Sequence, residues 1–512
     1  MVSSANHPEL PHMTGVGVAG PREACRLSAD RHRDPALDEI RAKVGRGERL
    51  TLDDGMTLYA TRDLWSVLEM ADSVRRRLHG DAAFYNINRH LNYSNVCALS
   101  CKFCEFYAKK DDPKAYTRDM AYVRDQARQA IEAGATEMHV VGGLHPYLPF
   151  DYYTDLVSTI RDEARSGGSD LNVKAFTAVE IVHLARIAKV YKGATAPGEE
   201  GVAARREAIR TVLSRLKDAG LGSLPGGGAE VFDDRVHDEA YKGKIRSDVW
   251  LDVHRVAHGL GLNTNATMLY GHIESAHDRL VHMDMLRRAQ DEALTRLYQG
   301  GTALHADNSP SSKPSAHTSS PDTEALARSS GGHLGYRADD APAPAVTLTG
   351  PNAILPEHFA FGRSGDGDPS EHSESRMPSA GYYQTIIPLP FFPDGCALEH
   401  LPGPSGLENY RTLAIARLML DNFPHVKSFW IMQTLPMAGL MLQSGADDID
   451  GTVVWYDITK VAQGGGAESL GTHQEVTVPV LHKAIREAGF RPIERDTLYR
   501  RVVRDGKKWS VA

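Results

Sequence analysis

The sequence predicts an α/β protein built on a (β/α) barrel, complete or partial. Short apolar segments of strand length alternate with amphipathic helical segments, and six or seven such units follow one another after residue 84. Repeated alternation of this kind indicates parallel strands joined by right-handed crossovers. A barrel is the natural closure for that number of units, and 512 residues are enough for one barrel with insertions.

Seven segments are short, apolar and bounded by turn residues, as strands are. They are residues 84–88, 137–141, 173–177, 222–224, 263–268, 384–389 and 428–432. Helices are predicted where apolar residues recur three and four positions apart, namely at 38–78, 118–133, 152–164, 205–219, 248–260 and 276–294. Gly220 suits a helix C-cap, and Ser405 with Glu408 three residues later predicts another helix start. A small Gly/Ala/Pro loop is expected at 191–204.

Composition divides the chain into five predicted parts. Residues 1–35 are rich in Pro, Gly and charge and predict a disordered tail, and 36–80 are an N-terminal helical segment. The first part of the barrel covers 81–300, and 381–505 complete it. Residues 301–380 are dense in Ser, Pro, Gly, His and Asp without a helical or strand period, which predicts a long low-complexity insertion.

The overall charge is mildly acidic, since 58 Lys and Arg against 66 Asp and Glu give 58 − 66 = −8. The chain lacks the basic excess that binding to a phosphate backbone needs, so no nucleic acid is expected as a partner. No uncharged apolar run approaches the ~18 residues of a membrane span. The first thirty residues contain no continuous apolar stretch, so no secretory signal is expected and the predicted location is the cytoplasm.

Three of the five cysteines fall within eight residues, in the segment NVCALSCKFCEFY with the spacing C-x3-C-x2-C. They are Cys97, Cys101 and Cys104, while Cys25 and Cys396 are isolated. An odd total with one tight cluster indicates reduced thiols that bind metal or do chemistry. A zinc knuckle needs four ligands and an electron-transfer cluster needs a fourth thiolate, which neither isolated cysteine supplies convincingly. Buried inert thiols are the remaining alternative.

Three thiolates can instead hold a [4Fe-4S] cluster through three irons and leave the fourth iron open. An open iron can bind the amino and carboxylate groups of S-adenosyl-L-methionine, and an electron from the reduced cluster then releases an adenosyl radical. Phe103, directly before the last cysteine, can pack against the adenine. The spacing, the aromatic residue and the barrel together favour this interpretation.

The cysteine loop resembles that of the radical S-adenosylmethionine (SAM) superfamily, where it follows the first barrel strand, as it follows 84–88 here. Four more motifs resemble the aminofutalosine synthases of that superfamily: VVGGLHPYLPFDYY (140–153), KAFTAVEI (174–181), GLGSLPGGGAEVF (220–232) and NATMLYGHIE (265–274). The resemblance covers about 84–295 and 381–450. It implies a TIM-like radical SAM barrel and an enzyme of menaquinone biosynthesis by the futalosine route.

Such an enzyme adds the adenosyl radical to 3-[(1-carboxyvinyl)oxy]benzoate, with loss of the carboxyl group, to form aminodeoxyfutalosine. The resemblance also implies SAM as a co-substrate and an electron donor such as flavodoxin or ferredoxin. Two rivals remain open. One is the hydrogen-abstracting cyclase of the same pathway, cyclic dehypoxanthine futalosine synthase, and the other is a non-enzymatic iron-sulfur protein.

The resemblance further implies roles for residues around the cysteine loop. Gly142 and Gly143 are expected to receive the amino group of SAM. Glu180 is expected to bind a ribose hydroxyl, and Gly271 is expected to let the backbone contact the adenine. Candidates for substrate binding are Arg89, His90, Glu230 and Glu274, and candidates for catalysis are His145 and His272. The alternatives are a tight turn at the glycines, a helix N-terminal acid at Glu180, a Gly-rich loop at Glu230, a surface salt bridge at Arg89 and structural histidines.

One departure from the family pattern concerns the substrate pocket. The family carries paired acids after the motif that matches GADDIDGTVV (445–454), and here Trp455, Tyr456 and Asp457 follow instead. If the paired acids shape the pocket, the rate or the substrate is affected, while the cluster chemistry is not.

Overall fold

The computed structural model describes residues 33–300, 380–453 and 475–512. The strands are β1 (Ala82–Asn86), β2 (Asn88–Asn92), β3 (Glu137–Val141), β4 (Asn172–Ala175), β5 (Leu221–Leu224), β6 (Asn263–Tyr270), β7 (Tyr383–Pro390), β8 (His425–Val426), β9 (Asp448–Gly451), β10 (Arg491–Glu494), β11 (Val502–Asp505) and β12 (Lys508–Val511).

The helices are α1 (Asp38–Arg46), α2 (Leu52–Ala60), α3 (Leu64–His79), α4 (Met120–Glu132), α5 (Phe150–Ser166), α6 (Ala178–Ile187), α7 (Gly198–Ala219), α8 (Asp234–Ala240), α9 (Ser247–Gly259), α10 (Ala276–Gly300), α11 (Gly406–Met419), α12 (Trp430–Gln433), α13 (Leu435–Met441) and α14 (Val478–Glu487). In the described part of the chain, no helix is both long enough and apolar enough to cross a bilayer.

A curled parallel sheet with the strand order β2-β3-β4-β5-β6-β7-β8 forms the centre of the molecule. β9 joins the two edges of this sheet. On one side β9 pairs in parallel with β1, and on the other its residue Asp448 forms a parallel bridge with Lys427, which directly follows β8. Because β1 leads into β2 after a single residue, the ring of strands closes. The predicted (β/α) barrel is therefore confirmed.

Side chains alternate between an outer face, which packs against helices, and an inner face along β2 and β3. On β3, Met138 and Val140 are fully buried against the surrounding helices, while Glu137 and His139 face the interior. On β2, Arg89 faces outward and bonds to α4, so His90 faces inward. The outer face supplies the hydrophobic core, since parallel strands must bury that face against helices.

The interior of the barrel, here called the lumen, contains a set of charged and imidazole groups that we call the lumen cluster. Its members are His90, Glu137, His139, Lys174, Lys427, Asp448, Asp450 and Arg495. Ion pairs join Lys174 Nζ to Glu137 Oε2 at 2.7 Å, Lys427 Nζ to Asp450 Oδ1 at 2.6 Å and Arg495 Nη2 to Asp448 Oδ2 at 2.8 Å. The His90 ring stacks on the His139 ring with the centroids 4.5 Å apart.

The C-terminal segment closes the lumen at the amino ends of the strands. β10 pairs with β1, and Arg495 and Tyr499 follow it into the interior. Tyr499 stacks on His425 with the ring centroids 3.8 Å apart, and Phe84 packs edge-on against the same histidine at 5.2 Å. Ligands therefore enter the lumen from the opposite end, where barrels place their functional loops.

Most of the predicted elements are confirmed, and three need correction. The segment predicted at 84–88 is divided by a bend at Ile87, so β2 is the strand before the cysteine loop. The strand predicted at 428–432 is wrong, because β8 is His425–Val426 and α12 begins at Trp430. An apolar run of that length fits a buried strand and a short buried helix equally well. The loop predicted at 191–204 ends earlier, since α7 begins at Gly198.

Several sequence predictions lie outside the described residues. They are the disordered tail up to residue 32, the insertion from 301 to 379, the isolated Cys25 and the departure at Trp455, Tyr456 and Asp457.

Candidate active site

The cysteine loop lies at the carboxyl end of β2, between β2 and α4. Its backbone folds back on itself, because Cys97 N–H donates to Ala108 O at 3.0 Å and Ala108 N–H donates to Asn95 O at 2.8 Å. Cys104 N–H donates to Cys101 O at 3.1 Å, which forms a tight turn between these two thiols. All three loop thiols are free. The loop thus presents three unpaired sulfurs at the open end of the lumen.

Burial sets the electrostatics of two of the loop thiols. It raises the pKa of Cys101 to about 11 and also raises the pKa of Cys104, against the opposing effect of Lys244. Without a bound cation these thiols are therefore protonated, and binding of a metal would release their protons. The N–H groups of Leu99 and Leu144 each approach Cys97 Sγ to 3.4 Å, as donors to a thiolate do. The donor set therefore fits a metal centre with three thiolate ligands.

The spacing of the sulfurs argues against a single zinc ion. Ligands of one tetrahedral zinc at ~2.3 Å lie about 3.8 Å apart. Among the described residues, the only three ligand-type groups within 4.8 Å of one another are His79, His425 and Asp447. The three loop sulfurs do not all lie within 4.8 Å of one another, so they are not arranged as ligands of one zinc ion.

The group at His79, His425 and Asp447 has a structural explanation. Arg417 forms an ion pair with Asp447, and His79 Nε2 bonds to Pro424 O at 2.8 Å, so these ligand atoms are already engaged with protein.

A buried ion pair stands beside two of the thiols. Lys244 pairs with Glu230, and its Nζ lies 4.8 Å above the ring of Phe103. Burial opposes the charge of Lys244, but Glu230 and Cys101 outweigh it and raise the pKa of the ammonium. The structure therefore brings the predicted residues Phe103 and Glu230 together beside the loop. Sequence reasoning missed Lys244, which no motif marks.

Gly142 and Gly143 lie against the start of the cysteine loop. A Cβ on Gly143 would come within 2.4 Å of Val96 O, and one on Gly142 within 2.7 Å of the Tyr93 ring. Gly143 N–H donates to Ser94 O at 2.7 Å. The glycines therefore allow the β3 loop and the cysteine loop to approach backbone to backbone, whatever ligand they also receive.

Glu180 connects three elements at the mouth of the lumen. With Thr177 it forms the capping box of α6, and it accepts hydrogen bonds from Tyr93 Oη at 2.8 Å and from Gly142 N–H at 3.0 Å. Burial raises the pKa of its carboxyl group to about 7. The helix N-terminal role, which the sequence left open, is present in the structure, and contact with a ribose stays a prediction.

The loop after β6 is held by Glu274. Its carboxylate accepts from Gly271 N–H at 2.6 Å, from His272 N–H at 2.9 Å and from Arg279 Nε at 2.7 Å. His272 Nε2 bonds to Leu269 O at 3.1 Å. Gly271 has φ +91°, a conformation that glycine adopts without strain. Glu274 and His272 thus shape this loop, and their contact with substrate stays a prediction.

The remaining candidates differ in where they point. His90 faces the lumen, while Arg89 bonds to Gln126 and Gln129 on the outer side and forms no salt bridge with another described residue. His145 Nδ1 accepts from the N–H groups of Tyr147 and Leu148, both at 3.2 Å. Of these three, only His90 is brought to the lumen cluster.

Cys396 is nearer to the cysteine loop than its position in the sequence suggests. The adjacent Ala397 N–H donates to Lys102 O at 2.8 Å. Cys396 Sγ donates to Pro393 O at 3.1 Å, and Leu398 N–H approaches Cys396 Sγ to 3.3 Å. This thiol is therefore engaged within its own turn.

Comparison with known proteins agrees with this site. Residues 91–286 match the family model "Radical SAM superfamily", and residues 380–506 match "CofH/MqnC C-terminal region". The fold resembles crystal structures of methylornithine synthase (TM-score 0.54, 13% identity, 88% of this chain and 97% of that chain). It also resembles the FeFe-hydrogenase maturase HydG from Carboxydothermus hydrogenoformans (TM-score 0.52, 13% identity, 90% of this chain and 80% of that chain).

Two curated relatives carry the same name, aminodeoxyfutalosine synthase. The Thermus thermophilus protein is 33% identical over 92% of this chain and 97% of its own length. The Streptomyces coelicolor protein is 34% identical over 90% of this chain and 92% of its own length. A 5-amino-6-(D-ribitylamino)uracil–L-tyrosine 4-hydroxyphenyl transferase from Methanopyrus kandleri is 29% identical over 88% of this chain and 93% of its own length.

The barrel and the three-thiol loop define a radical SAM enzyme, with a [4Fe-4S] cluster and SAM as its cofactors. Within that superfamily, the chain belongs to the aminodeoxyfutalosine synthase family.

Proposed function

We propose that this chain transfers the adenosyl group of SAM, with release of methionine, to the terminal vinyl carbon of 3-[(1-carboxyvinyl)oxy]benzoate. The aryl group then moves from the ether oxygen to the adjacent carbon, and loss of the enolpyruvyl carboxyl group gives aminodeoxyfutalosine. The observation that carries the proposal is similarity to two aminodeoxyfutalosine synthases along about 90% of the chain, with the cysteine loop at the open end of a polar lumen. When bound, the cluster supplies the electron that cleaves SAM, and SAM supplies the adenosyl group.

The residues of the cysteine loop and its neighbours suit the two cofactors. Cys97, Cys101 and Cys104 would hold three irons and leave the fourth for the amino and carboxylate groups of SAM. Phe103, which packs edge-on against Tyr241 at 5.9 Å, would contact the adenine. Gly142, Gly143, Glu180 and Gly271 complete the proposed SAM site.

The lumen is where we place the substrate. Its walls exclude bulk water, and a radical held there is protected from quenching. Among the proposed substrate residues, His90 faces the lumen and Glu230 lies beside the cysteine loop. Arg89 and Glu274 would act through the elements that they hold, and His145 and His272 are the candidates for moving protons.

The electron donor is proposed to be a small redox protein such as flavodoxin or ferredoxin. Lys102, Lys109 and Lys110 are exposed on the cysteine loop and would favour an acidic partner. Lys109 Nζ also donates to the carbonyl oxygens of Cys97 and Leu99, at 3.2 and 2.9 Å. Because the free thiols and such donors belong to a reducing compartment, we place the reaction in the cytoplasm.

The product distinguishes the proposed reaction from its rivals. Reconstituted protein is incubated anaerobically with SAM, reductant and the enolpyruvyl benzoate, and the products are identified by mass. Adenosine carbon in the large product supports the synthase, and no adenosylated product would refute it. Free deoxyadenosine released from the cyclase substrate would identify the cyclase instead. A cluster whose spectrum does not change on addition of SAM would indicate a non-enzymatic iron-sulfur protein.

A further inference from the structure

We propose that His139 and Lys174 bind the ring carboxylate of the substrate, on the inner wall of the barrel. The inference rests on the proposed function, because it names the groups that hold the substrate of that reaction. The sequence assigned a role to neither residue: Lys174 opens the motif KAFTAVEI, and His139 directly precedes VVGGLHPYLPFDYY.

His139 is the imidazole that the lumen leaves accessible. It is the Cα partner of His90 on one side and of Lys174 on the other. Its side chain is 22% exposed, while that of Lys174 is 2% exposed, so solvent reaches the His139 ring but hardly reaches Lys174. No hydrogen bond joins its ring to another described residue, and Nδ1 lies 4.0 Å from Glu137 Oε1. The ring therefore has a donor available for a ligand.

Lys174 supplies the positive charge at the same level. Its ammonium carries three N–H donors, and among the described residues only Glu137 Oε2, at 2.7 Å, accepts from it. Glu137 is also approached by Arg495 Nη1 at 3.9 Å. Only one of the three N–H donors of Lys174 is therefore engaged with a described residue, and the other two are available to an anion.

The energetic cost of the lumen cluster points to function. Three cations and three carboxylates lie buried inside the ring of strands. Apolar residues of similar size would stabilise such an interior as well or better, since desolvation of ions offsets most of their attraction. A binding site that must accept a dianionic molecule gives a reason for retaining charges here.

The position of His139 selects the ring carboxylate over the enolpyruvyl carboxylate. His139 precedes Gly142 by three residues, so it lies about 10 Å deeper than the cysteine loop at ~3.3 Å per residue. The vinyl carbon must meet the adenosyl carbon near the cysteine loop, and the enolpyruvyl carboxylate is attached next to it. The ring carboxylate is at the opposite end of the molecule and therefore reaches into the lumen.

The test removes the same interaction from the protein and from the substrate. His139→Phe keeps a ring that can stack on His90 but has no donor. The truncated substrate is 2-phenoxyprop-2-enoate, which lacks only the ring carboxylate. For the wild-type holoenzyme, truncation should lower kcat/KM about 10- to 100-fold, the range for a lost hydrogen bond to a charged group. For His139→Phe, the full substrate should show a loss of kcat/KM, and truncation should cost less than in the wild type, because only Lys174 then remains to bind the ring carboxylate.

The matched control is His482→Asn. His482 lies on α14 outside the lumen, with Nε2 2.7 Å from Tyr85 Oη. This variant should respond to truncation as the wild type does. In all three proteins, the spectral change of the cluster on SAM binding should be the same, because the substituted side chains lie away from the cysteine loop.

Equilibrium binding separates this inference from the proposed function. Titration calorimetry with the holoenzyme gives the Kd of both compounds without turnover. If the wild type binds the full substrate and His139→Phe does not, the carboxylate site stands even where no adenosylated product forms. If His139→Phe shows the same penalty for truncation as the wild type, the site is refuted even where the synthase reaction is confirmed. The double variant Lys174→Met/Glu137→Gln removes both members of this ion pair at once. Like His139→Phe, it should weaken binding of the full substrate and reduce the penalty for truncation.

Discussion

The three thiols of the cysteine loop are expected to be individually indispensable. Replacing Cys97, Cys101 or Cys104 with Ala leaves the cluster short of a protein ligand. Each variant should lose most of its iron and all measurable turnover. The measurements are iron content and the electron paramagnetic resonance of the reduced cluster after anaerobic reconstitution.

Cys396→Ala is the control for these substitutions, since its thiol bonds to Pro393 O within its own turn. It should keep iron and turnover, and Cys25→Ala, at a position outside the described residues, should do the same. A loss of iron in either isolated-cysteine variant would mean that the cluster has a fourth protein thiolate.

Residue-level prediction from sequence worked where a local pattern carries the chemistry. The spacing of the loop cysteines and the Thr177-to-Glu180 cap are both contained within a few consecutive residues. Lys244 and His139 carry no such pattern, because what makes each notable is a neighbour from another element. Sequence therefore marked the three thiols of the loop and missed the cation beside them.

At the scale of elements, the contact between the β3 loop and the cysteine loop should control cluster assembly. Gly143→Ala places a methyl group 2.4 Å from Val96 O, so the backbone must shift at a cost of about 1–3 kcal/mol. We expect a lower melting temperature and incomplete iron incorporation. Thermal melting and iron content measure the two effects.

Gly45→Ala is the matched control for that substitution. Gly45 lies in α1, and nothing approaches a Cβ there within 4 Å. Alanine at this site should stabilise the helix by up to ~1 kcal/mol and leave the iron content unchanged. Normal cluster assembly in Gly143→Ala would show that the close approach of the two loops is dispensable.

The segment between α10 and β7 is expected to be dispensable on the evidence of its composition. Deleting residues 305–375 and bridging the gap with a short Gly/Ser linker should leave a folded, active enzyme, since loop closure costs only ~0.6 kcal/mol per doubling of length. The cut spares Leu294 and Leu297, which pack with Tyr382. Thermal melting and anaerobic turnover are compared with those of the full chain.

Two outcomes would contradict the deletion prediction differently. A large loss of melting temperature would mean that the segment packs against the barrel. Unchanged melting with lost turnover would make it part of the active site.

At the scale of the whole molecule, buried neutral histidines should make the fold sensitive to acid. Burial lowers the pKa of His79, His254 and His282 to about 3 and that of His90 to about 4. Between these values and about 6.5 the unfolded chain binds more protons than the folded one. The contribution of these histidines to the free energy of unfolding is therefore present above pH 6.5. It is lost as the pH falls, and at pH 5 the loss is ~2 kcal/mol for each histidine.

His254→Phe tests this acid sensitivity at one site. Desolvation alone lowers the pKa of His254, whose ring packs on Trp250 with the centroids 3.7 Å apart. Between pH 7.5 and pH 5 the free energy of unfolding falls in both proteins. The fall should be about 2 kcal/mol smaller in the variant than in the wild type. Urea denaturation at the two pH values measures the difference. The exposed His400→Asn should follow the wild type, and parallel profiles for His254→Phe and the wild type would refute the assignment.

The barrel, most of its helices and the cluster of three thiols could be predicted from the sequence alone. Each of these follows from residues close together in the chain, through apolar period, cap residues or cysteine spacing. The tertiary structure decided which polar side chains face the lumen, where β2 begins and what surrounds each candidate. Lys174, Lys427 and Arg495 share one interior although Lys174 lies far from the other two in the sequence, because strands distant in sequence are neighbours around a barrel. Local patterns do not carry that adjacency, so it emerges only when the ring of strands closes.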